Sequence, residues 1–371
     1  MILDIVLYIF IASLAIQSIF FLSVILKLGI YKRGNSKQKK ISNEPVSIII
    51  CAQNELKNLK KLLGRLYDQN HSEYEIIVVD DKSNDGTLEF LKAESAKQSN
   101  LKFITIERTP GHFNGKKYAL STGIDSAQYD ILLLTDADCY PTSNEWVSKM
   151  ATSFLNNTKI VLGYSQYKYE SGLLNAFIRF ETLQTGIQYI SAALWNTPYM
   201  GVGRNLAYRK SFFIKKKGFS GFEHVTGGDD DLFINKHADS TNTEVMVGAA
   251  VMILSYPKKT LKSFFKQKKR HLSAGKLYRK RDKTRLALLS LSHILFWLSF
   301  ITLAVKVVEP IVLIIGLLIR VIFLTLTFNL SARKLGDKPF PWVLPILDFL
   351  YVVYYLVTGT TALLSKKVKW S

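Results

Sequence analysis

The sequence predicts an α/β protein with a mixed, mostly parallel sheet, flanked at both ends by transmembrane helices. Between about residues 44 and 256, the strand-like runs VSIIICA, YEIIVVDD and LKFITIE alternate with amphipathic, helix-like segments. Strands that are separated by helices in this way pair in parallel, with helices on both faces of the sheet. Long apolar segments before and after this region predict the membrane part.

The N-terminal segment is the first predicted membrane span. Residues 2–28 are apolar and long enough to cross a bilayer, without the basic start or the small-residue cleavage site of a signal peptide. A basic segment, 31–43, follows them. Because basic residues flank membrane spans on the cytoplasmic side, we predict a transmembrane helix over 1–30, a cytoplasmic linker over 31–43 and a cytoplasmic domain over 44–256.

The C-terminal region, 286–371, is predicted to contain two or three further spans. Its long apolar segments lie near 286–307, 310–329 and 341–364. The basic loop 331–338 is expected in the cytoplasm. If the last segment spans, the basic residues 366–369 lie outside, against the positive-inside rule, whereas a re-entrant or interfacial segment removes this conflict. Both topologies are compatible with the sequence.

The net charge of +20 requires an anionic partner or surface. Basic residues concentrate at 257–285, beside the apolar segments, and are interleaved there with Leu, Phe and Tyr. This pattern predicts an amphipathic helix on an anionic membrane face, and it disfavours nucleic acid as the partner. The two cysteines, Cys51 and Cys139, follow strand-like runs and are predicted to be small buried residues rather than a disulfide.

Polar residues follow the first two predicted strands at the edge where parallel sheets bind ligands. The loop after VSIIICA lacks a glycine-rich turn, which disfavours a dinucleotide-binding dehydrogenase. Asn54 and Glu55 in this loop are typical of a helix cap, or they line a site. Asp80 and Asp81 either form an Asx turn and a helix cap or accept hydrogen bonds from a nucleobase or ribose.

The stretch DILLLTDADCYP delivers two carboxylates, Asp136 and Asp138, to the end of a buried strand. Alternation places both side chains on one side, where they repel each other unless a cation lies near. Hard divalent ions such as Mg²⁺ or Mn²⁺ are held by one or two carboxylates together with substrate phosphates. The alternative is an ordinary polar turn closed by Pro141.

Three further clusters are candidates for binding or catalysis. Lys116 and Lys117 begin a predicted helix, which is a favourable phosphate site, although solvated lysines are common there. In GGDDDL, Asp229 is either a helix N-cap, followed by two acids that favour the helix dipole, or a general base. The segment KQKKRH is typical of a basic membrane-surface helix. An additional hypothesis is that Arg270 in this segment reaches a phosphate.

Six motifs between about residues 44 and 278 resemble, in this order, those of the family 2 inverting glycosyltransferases with the GT-A fold. They are VSIIICAQNE, VVDDKSNDGT, GKKYALSTGI, TDAD, GGDDDL and a Q-x-x-R-H form of Q-x-x-R-W. The flanking helices resemble the membrane-bound branch, which includes ceramide glucosyltransferase-like enzymes and the hyaluronan, chitin and cellulose synthases. The resemblance implies a nucleoside-diphosphate sugar donor, Mg²⁺ or Mn²⁺, a lipid or lipid-linked acceptor, and a location in the cytoplasmic membrane.

The resemblance also implies a role for each matching residue. Ala52, Glu55 and Asp81, with Asp80 beside it, are expected at the nucleoside, and Lys116, Gln267 and Arg270 at the phosphates. Asp138 is expected to bind the metal, Asp136 the metal or the nucleotide-sugar, and Asp229 is expected to be the base. The acceptor side is assigned to Gly203, Arg204, Asn205, Asp230 and His271.

Two features depart from the family pattern. His271 replaces the usual Trp, which puts the acceptor geometry in doubt, and Gly228 replaces a frequent Glu. A processive polysaccharide synthase and a non-enzymatic membrane protein that binds nucleotide-sugars are the alternative hypotheses.

Overall fold

The computed structural model describes residues 1–32, 44–155, 157–338 and 343–364, with the side chains of the last range described to residue 359. Most of the predicted basic linker, including Arg33, Lys37, Lys39 and Lys40, and the basic segment 366–369 lie outside the described residues.

A seven-stranded mixed sheet forms the centre of the domain between the apolar ends of the chain. In sheet order its strands are β3 (Leu101–Thr105), β2 (Tyr74–Asp80), β1 (Val46–Ala52), β4 (Ile131–Asp136), β8 (Leu206–Arg209), β6 (Ile160–Leu162) and β9 (Thr243–Val245). The first four strands are parallel, β8 is antiparallel to both β4 and β6, and β9 is parallel to β6. The predicted mostly parallel sheet is thus confirmed.

Helices cover both faces of this sheet. They are α2 (Leu56–Tyr67), α3 (Thr87–Ser95), α4 (Gly115–Ser126), α5 (Trp146–Ala151), α6 (Leu173–Leu194), α7 (Lys210–Lys215), α8 (Asp231–His237) and α9 (Leu261–Gly275). Because both faces are covered, β1 and β4 are continuous apolar runs rather than alternating ones. Gly123 lets α4 approach the sheet closely, since a Cβ there would lie 2.8 Å from Ile49 Cγ2.

A second, three-stranded sheet lies beside the carboxyl edge of the first. It contains β5 (Cys139–Pro141), β10 (Ile253–Ser255) and β7 (Ser165–Tyr167), in that order. Since β5 begins three residues after β4 ends, the turn that carries Asp136 and Asp138 is held between the two sheets.

Among the described residues, three helices are long and apolar enough to cross a membrane: α1 (Ile2–Val24), extended by a π-helical turn at Ile25–Gly29, α10 (Lys280–Val305) and α11 (Pro310–Leu335). The last helix, α12 (Leu344–Leu364), is apolar but its described part is shorter. Within α1, Gln17 Nε2 donates to Ser292 Oγ of α10 at 2.6 Å, so a buried polar pair joins these two helices.

The structure corrects two predicted boundaries. The segment 257–285 is not one helix, because α9 ends at Gly275 and α10 begins at Lys280. The chain turns between them where Tyr278 and the backbone N–H of Arg279 bond to Asp231 and Asn235 of α8. The predicted loop 331–338 is helical up to Leu335, which leaves Gly336 as the left-handed residue that ends α11.

A buried ionic network joins α10, α11 and α12. Arg320 of α11 donates from Nε and Nη2 to the two carboxylate oxygens of Asp348 in α12, at 2.8 and 3.0 Å. Trp297 Nε1 of α10 donates to the same carboxylate at 3.0 Å. His293 bonds to the Asp348 carbonyl through Nε2 and to Arg320 through Nδ1. The pair therefore holds all three helices together.

Candidate active site

A cavity of about 330 Å³ opens at the carboxyl ends of β1, β2 and β4. Twelve of the predicted site residues line it: Ala52, Glu55, Asp81, Lys116, Asp136, Asp138, Arg204, Asp229, Asp230, Gln267, Arg270 and His271. Its far wall is formed by α6, β7 and α9. The topology explains the clustering, because the strand order reverses between β1 and β4 and leaves a crevice at that edge.

The loops after β1 and β2 are tied to each other. The backbone N–H of Asp81 donates to the Ala52 carbonyl at 2.8 Å, and Asn54 Oδ1 accepts from the backbone N–H of Asn84 at 2.8 Å. The backbone N–H of Leu56, at the start of α2, donates to Asp85 Oδ2. Glu55 occupies the N-cap position of α2 but makes no side-chain cap bond, and Asp85 from the neighbouring loop accepts the hydrogen bond of the first N–H instead.

Asp80 and Asp81 separate into two environments. Both side chains are buried, but only Asp81 lines the cavity, where Lys82 pairs with it at 3.0 Å. Asp80 lies beneath the loop, where burial raises the pKa of its carboxyl and Ser83 bonds to it. The predicted nucleoside contact is therefore retained as a hypothesis for Asp81, and Asp80 is a residue that shapes the loop.

Lys116 bridges two of the cavity's carboxylates. Its Nζ lies 3.0 Å from Asp136 Oδ1 and 3.0 Å from Asp229 Oδ2. Burial disfavours the ammonium form, but the two carboxylates outweigh it and hold the pKa of Lys116 well above its usual value. Burial likewise disfavours the ionised form of Asp229, but Lys116 and Lys117 outweigh burial and lower the pKa of Asp229 to about 2. Both groups are therefore charged at neutral pH.

Lys117 holds the loop that presents Asp229. Its side chain is fully buried and donates to the carbonyls of Val225 and Gly227. Gly227 and Gly228 have φ values of +78° and +75°, and a Cβ on Gly228 would lie 2.4 Å from Leu232 Cδ1. Glycine at 228 is thus required by this loop. The sequence places Lys117 with Lys116 at a candidate phosphate site, but Lys117 does not line the cavity, because its ammonium group is held by the carbonyls of Val225 and Gly227.

The three acids of GGDDDL occupy three different environments. Asp230, not Asp229, is the N-cap of α8: its Oδ1 accepts from the backbone N–H of Asp231 at 2.7 Å. Its Oδ2 accepts from the backbone N–H of Gly203 at 2.6 Å, so it also holds the 203–205 turn. Burial, followed by repulsion from Asp230, raises the pKa of Asp231 to about 8, and the Tyr278 hydroxyl donates to it at 2.6 Å.

Asp136, Asp138 and Cys139 form the one group of possible metal ligands among the described residues, with ligand atoms within 4.8 Å of one another. Burial raises the pKa of the Cys139 thiol well above its usual value, so Cys139 is a neutral donor to Asp138. Burial, followed by repulsion from Asp136, raises the pKa of Asp138. Two carboxylates that destabilise each other's charge fit a hard divalent cation, which would relieve the repulsion.

The helix α9 contributes three predicted residues to the far side of the cavity. Gln267 Nε2 donates to the Tyr167 hydroxyl at 3.1 Å, and Arg270 and His271 line the wall. His271 lines the wall but stays accessible to solvent, and partial desolvation by the wall, together with the neighbouring Lys268 and Arg270, lowers the pKa of its imidazole. An ion pair between Lys268 and Glu181 of α6, which the sequence did not indicate, anchors α9 to the domain.

Asn205 is a correction to the predicted acceptor side. It is fully buried, accepts from Trp146 Nε1 at 3.0 Å and donates to the carbonyls of Tyr164 and Val251 at 2.7 and 2.8 Å. Asn205 therefore shapes the 203–205 turn from inside and does not face the cavity. Gly203 is held by Asp230, and only Arg204 of this turn lines the cavity.

The mixed sheet with an acidic crevice at its carboxyl edge defines a GT-A-like sugar-nucleotide transferase fold. A mannosyltransferase from Pyrobaculum calidifontis, solved with GDP-Man and Mn²⁺, superposes with a TM-score of 0.67 over 99% of this chain and 100% of that chain, at 14% identity. That similarity bears on the fold alone.

Sequence similarity relates part of the chain to a known family. Residues 47–215 match the family described as Glycosyl transferase family 2. Glycosyltransferase AglE of Haloferax volcanii is 31% identical over 34% of this chain and 41% of its own length. A dolichyl N-acetyl-α-D-glucosaminyl phosphate 3-β-D-2,3-diacetamido-2,3-dideoxy-β-D-glucuronosyltransferase of Methanococcus voltae is 27% identical over 55% of this chain and 58% of its own length.

Residues 47–215 therefore resemble the glycosyltransferases of family 2, in agreement with the six motifs. The similarity favours an enzyme over a non-enzymatic binding protein. The chain spans about half the length of the curated relatives it matches.

Proposed function

We propose that this protein transfers a sugar from a nucleoside-diphosphate sugar to a hydroxyl group of a lipid or lipid-linked acceptor, with inversion at the anomeric carbon. The observation that carries the proposal is that, within one cavity, Lys116 forms ion pairs both with Asp136, beside Asp138, and with Asp229. It places a candidate diphosphate site and a candidate base side by side. The Methanococcus voltae relative, named for action on a dolichyl-linked sugar phosphate, supports the acceptor class.

Each group has a distinct chemical task in this proposal. Asp81 and Glu55 face the nucleoside, and Asp138, with Asp136, holds Mg²⁺ or Mn²⁺. When bound, the metal ion neutralises charge on the leaving diphosphate. Asp229 accepts the proton of the acceptor hydroxyl as that oxygen attacks the anomeric carbon. Lys116 and Arg270 stabilise the departing diphosphate electrostatically, and Gln267 orients Tyr167 at the far wall.

The apolar helices support a location in the cell membrane, with the catalytic domain in the cytoplasm. The cavity wall formed by α6 and α9 packs directly on the apolar part, since Phe180 of α6 stacks on Phe328 of α11 with ring centroids 4.9 Å apart. An acceptor dissolved in the bilayer would therefore reach the cavity from this side. The exposed cations of α9, such as Lys262 and Lys266, suit contact with anionic lipids.

A processive polysaccharide synthase is the second candidate, and a specific likeness favours it. Poly-β-1,6-N-acetyl-D-glucosamine synthase of Staphylococcus epidermidis is 29% identical over 35% of this chain. The two candidates differ in the product, which is a single added sugar in one case and a ladder of polymer lengths in the other.

The proposal is tested by turnover in detergent. The purified protein is incubated with a panel of nucleoside-diphosphate sugars and total membrane lipid, with Mn²⁺, Mg²⁺ or EDTA, and products are analysed by mass spectrometry. We expect one added hexose-type unit on a lipid, lost in EDTA, and Asp138→Ala should remove the metal dependence of donor binding. Exposed Asp68→Asn serves as the matched control. Donor binding by Asp138→Ala that still depends on the metal would contradict the metal role, and absence of any turnover would contradict the function.

A further inference from the structure

Both neighbours of Arg204 in the 203–205 turn are held by hydrogen bonds to other parts of the domain. The backbone N–H of Gly203 is held by Asp230 at 2.6 Å, and Asn205 is locked in the interior by three hydrogen bonds. The turn is therefore rigid, and Arg204 is its one residue that lines the cavity.

The guanidinium of Arg204 stacks on an aromatic ring but lacks an acceptor. Its Cζ lies 4.6 Å from the centre of the Tyr167 ring, a cation–π contact that restrains the group. Its Nη1 is buried and has no hydrogen-bond partner among the described residues. Buried donors, and charged ones above all, are normally paired, because leaving one unsatisfied is energetically costly. The acceptor is therefore expected to come from a ligand.

The surroundings of Arg204 indicate the charge of that ligand. Asp136 and Asp138 are among the groups that interact electrostatically with it, and Gln267 of α9 bonds to the hydroxyl of the same Tyr167. Arg204 thus lies between the candidate metal site and α9. Guanidinium groups bind phosphate through paired N–H donors, which a lysine ammonium cannot reproduce.

We propose that Arg204 binds a phosphate group in this cavity, contributed by the donor diphosphate or by a lipid-linked acceptor. The proposal rests on the proposed function and assigns Arg204 a specific chemical partner. Tyr167 acts as the positioning residue, because its ring restrains the guanidinium group.

The test compares Arg204→Gln and Arg204→Lys with the parent chain and with Lys92→Gln, which removes an exposed cation of α3 outside the cavity. Binding of UDP and GDP with Mn²⁺ is measured by calorimetry without acceptor, and KM is measured for donor and acceptor. We expect Arg204→Gln to weaken one of these constants about tenfold or more, as for loss of a charge-assisted hydrogen bond, with partial recovery in Arg204→Lys.

The outcomes separate the two phosphate sources. Weaker nucleotide binding assigns the contact to the donor, whereas an unchanged nucleotide Kd with a raised acceptor KM assigns it to the acceptor. If the parent chain is active and Arg204→Gln leaves all constants unchanged, this inference is wrong while the proposed function stands. If the parent chain neither binds nucleotide nor turns over, the proposed function itself fails.

A second, independent observation concerns the direction of α12. Asp348 and Phe349 lie against Trp297 of α10, while Tyr351 and Tyr355 lie against His293, one turn nearer the start of α10. Residue numbers therefore rise along α12 as they fall along α10, and the two helices are antiparallel.

The depth of α12 follows from its neighbours. Arg285 of α10 still bonds to Thr197 of the catalytic domain, and Trp297 lies twelve residues further, about 18 Å at 1.5 Å per residue. The second turn of α12 is thus deep in the apolar part, and the helix then runs back, with Tyr354 bonding to Glu181 of α6. Its exposed residues Ile346, Phe349, Val353 and Leu356 form a helical stripe.

We infer that the last apolar segment is re-entrant, with α12 beginning deep in the apolar part and running back to the side of the catalytic domain. The end of α11 lies on that side too, because Asp337 pairs with Tyr164 and Arg179 of the domain. The apolar stripe then faces lipid in one leaflet. The positive-inside conflict of a fourth span does not arise.

Cysteine labelling in sealed vesicles tests this topology. Each variant carries one added cysteine: Val307→Cys at the far end of α10, Lys338→Cys, or one cysteine appended after Ser371. The parent chain measures the background labelling of Cys51 and Cys139. A membrane-impermeant maleimide is expected to label the appended cysteine from the same side as Lys338→Cys and from the side opposite to Val307→Cys. Labelling of the appended cysteine from the side of Val307→Cys would overturn the inference.

Discussion

Asp229→Asn is expected to lower the rate of sugar transfer by a factor of at least about 10²–10⁴, the usual contribution of a general base. Donor binding should stay close to that of the parent chain. The amide keeps the shape of the carboxylate but cannot accept the proton of the acceptor hydroxyl. The measurement is kcat for transfer together with a calorimetric Kd for the nucleotide-sugar, and exposed Asp68→Asn is the control.

The ion pair with Lys116 adds a condition to this prediction. In the free protein the pKa of Asp229, lowered to about 2, makes it a weak base. We expect donor phosphates to draw Lys116 away from Asp229 and so restore its basicity in the bound state. Because the free carboxylate stays ionised above about pH 4, the profile of kcat/KM should have no acid limb from Asp229 between pH 5 and 8. Transfer that survives in Asp229→Asn would show that another residue is the base.

Asp348→Leu is expected to destabilise the protein by about 3–5 kcal/mol, the cost of leaving one charge of a buried pair unpaired. Arg320 would then keep its charge in a fully buried position among three apolar helices. Arg320→Leu should cost a similar amount. The double variant should recover most of the loss, since replacing both charges with apolar groups is often neutral.

The midpoint of thermal unfolding in detergent measures this effect for the two single variants and the double variant. Asp4→Asn, which changes an exposed acid of α1, is the control for loss of a carboxylate in an apolar helix. Single variants as stable as the parent chain would show that the Arg320–Asp348 pair does not hold the three helices together.

The sheet and its acidic edge could be predicted from the sequence. Apolar runs such as 131–134, bounded by polar turns, are typical of strands covered on both faces, and a parallel sheet brings the residues that follow such strands to one edge. That physical rule was enough to predict that Ala52, Asp81 and Asp136 lie close together. Asp138 followed from its spacing, because two residues along the chain cannot diverge far.

The fold is needed to show that Asp230 of GGDDDL caps the helix and that Asp229 pairs with Lys116. Asp229, Asp230 and Asp231 are consecutive, identical residues, so the sequence does not distinguish them. The left-handed Gly227 and Gly228 and the buried Lys117 orient each carboxylate differently. Likewise, Asn205 and Arg204 are neighbours in one motif, yet one is buried and the other lines the cavity.

The membrane part shows the same division. Hydropathy along the chain located the apolar segments, because the transfer of apolar side chains from water depends on composition alone. The direction of α12 was not accessible in this way, because it depends on Asp348 meeting Arg320, 28 residues earlier, and Trp297, 51 residues earlier. Pairings over such distances are set by packing in three dimensions, and no local pattern in the chain records them.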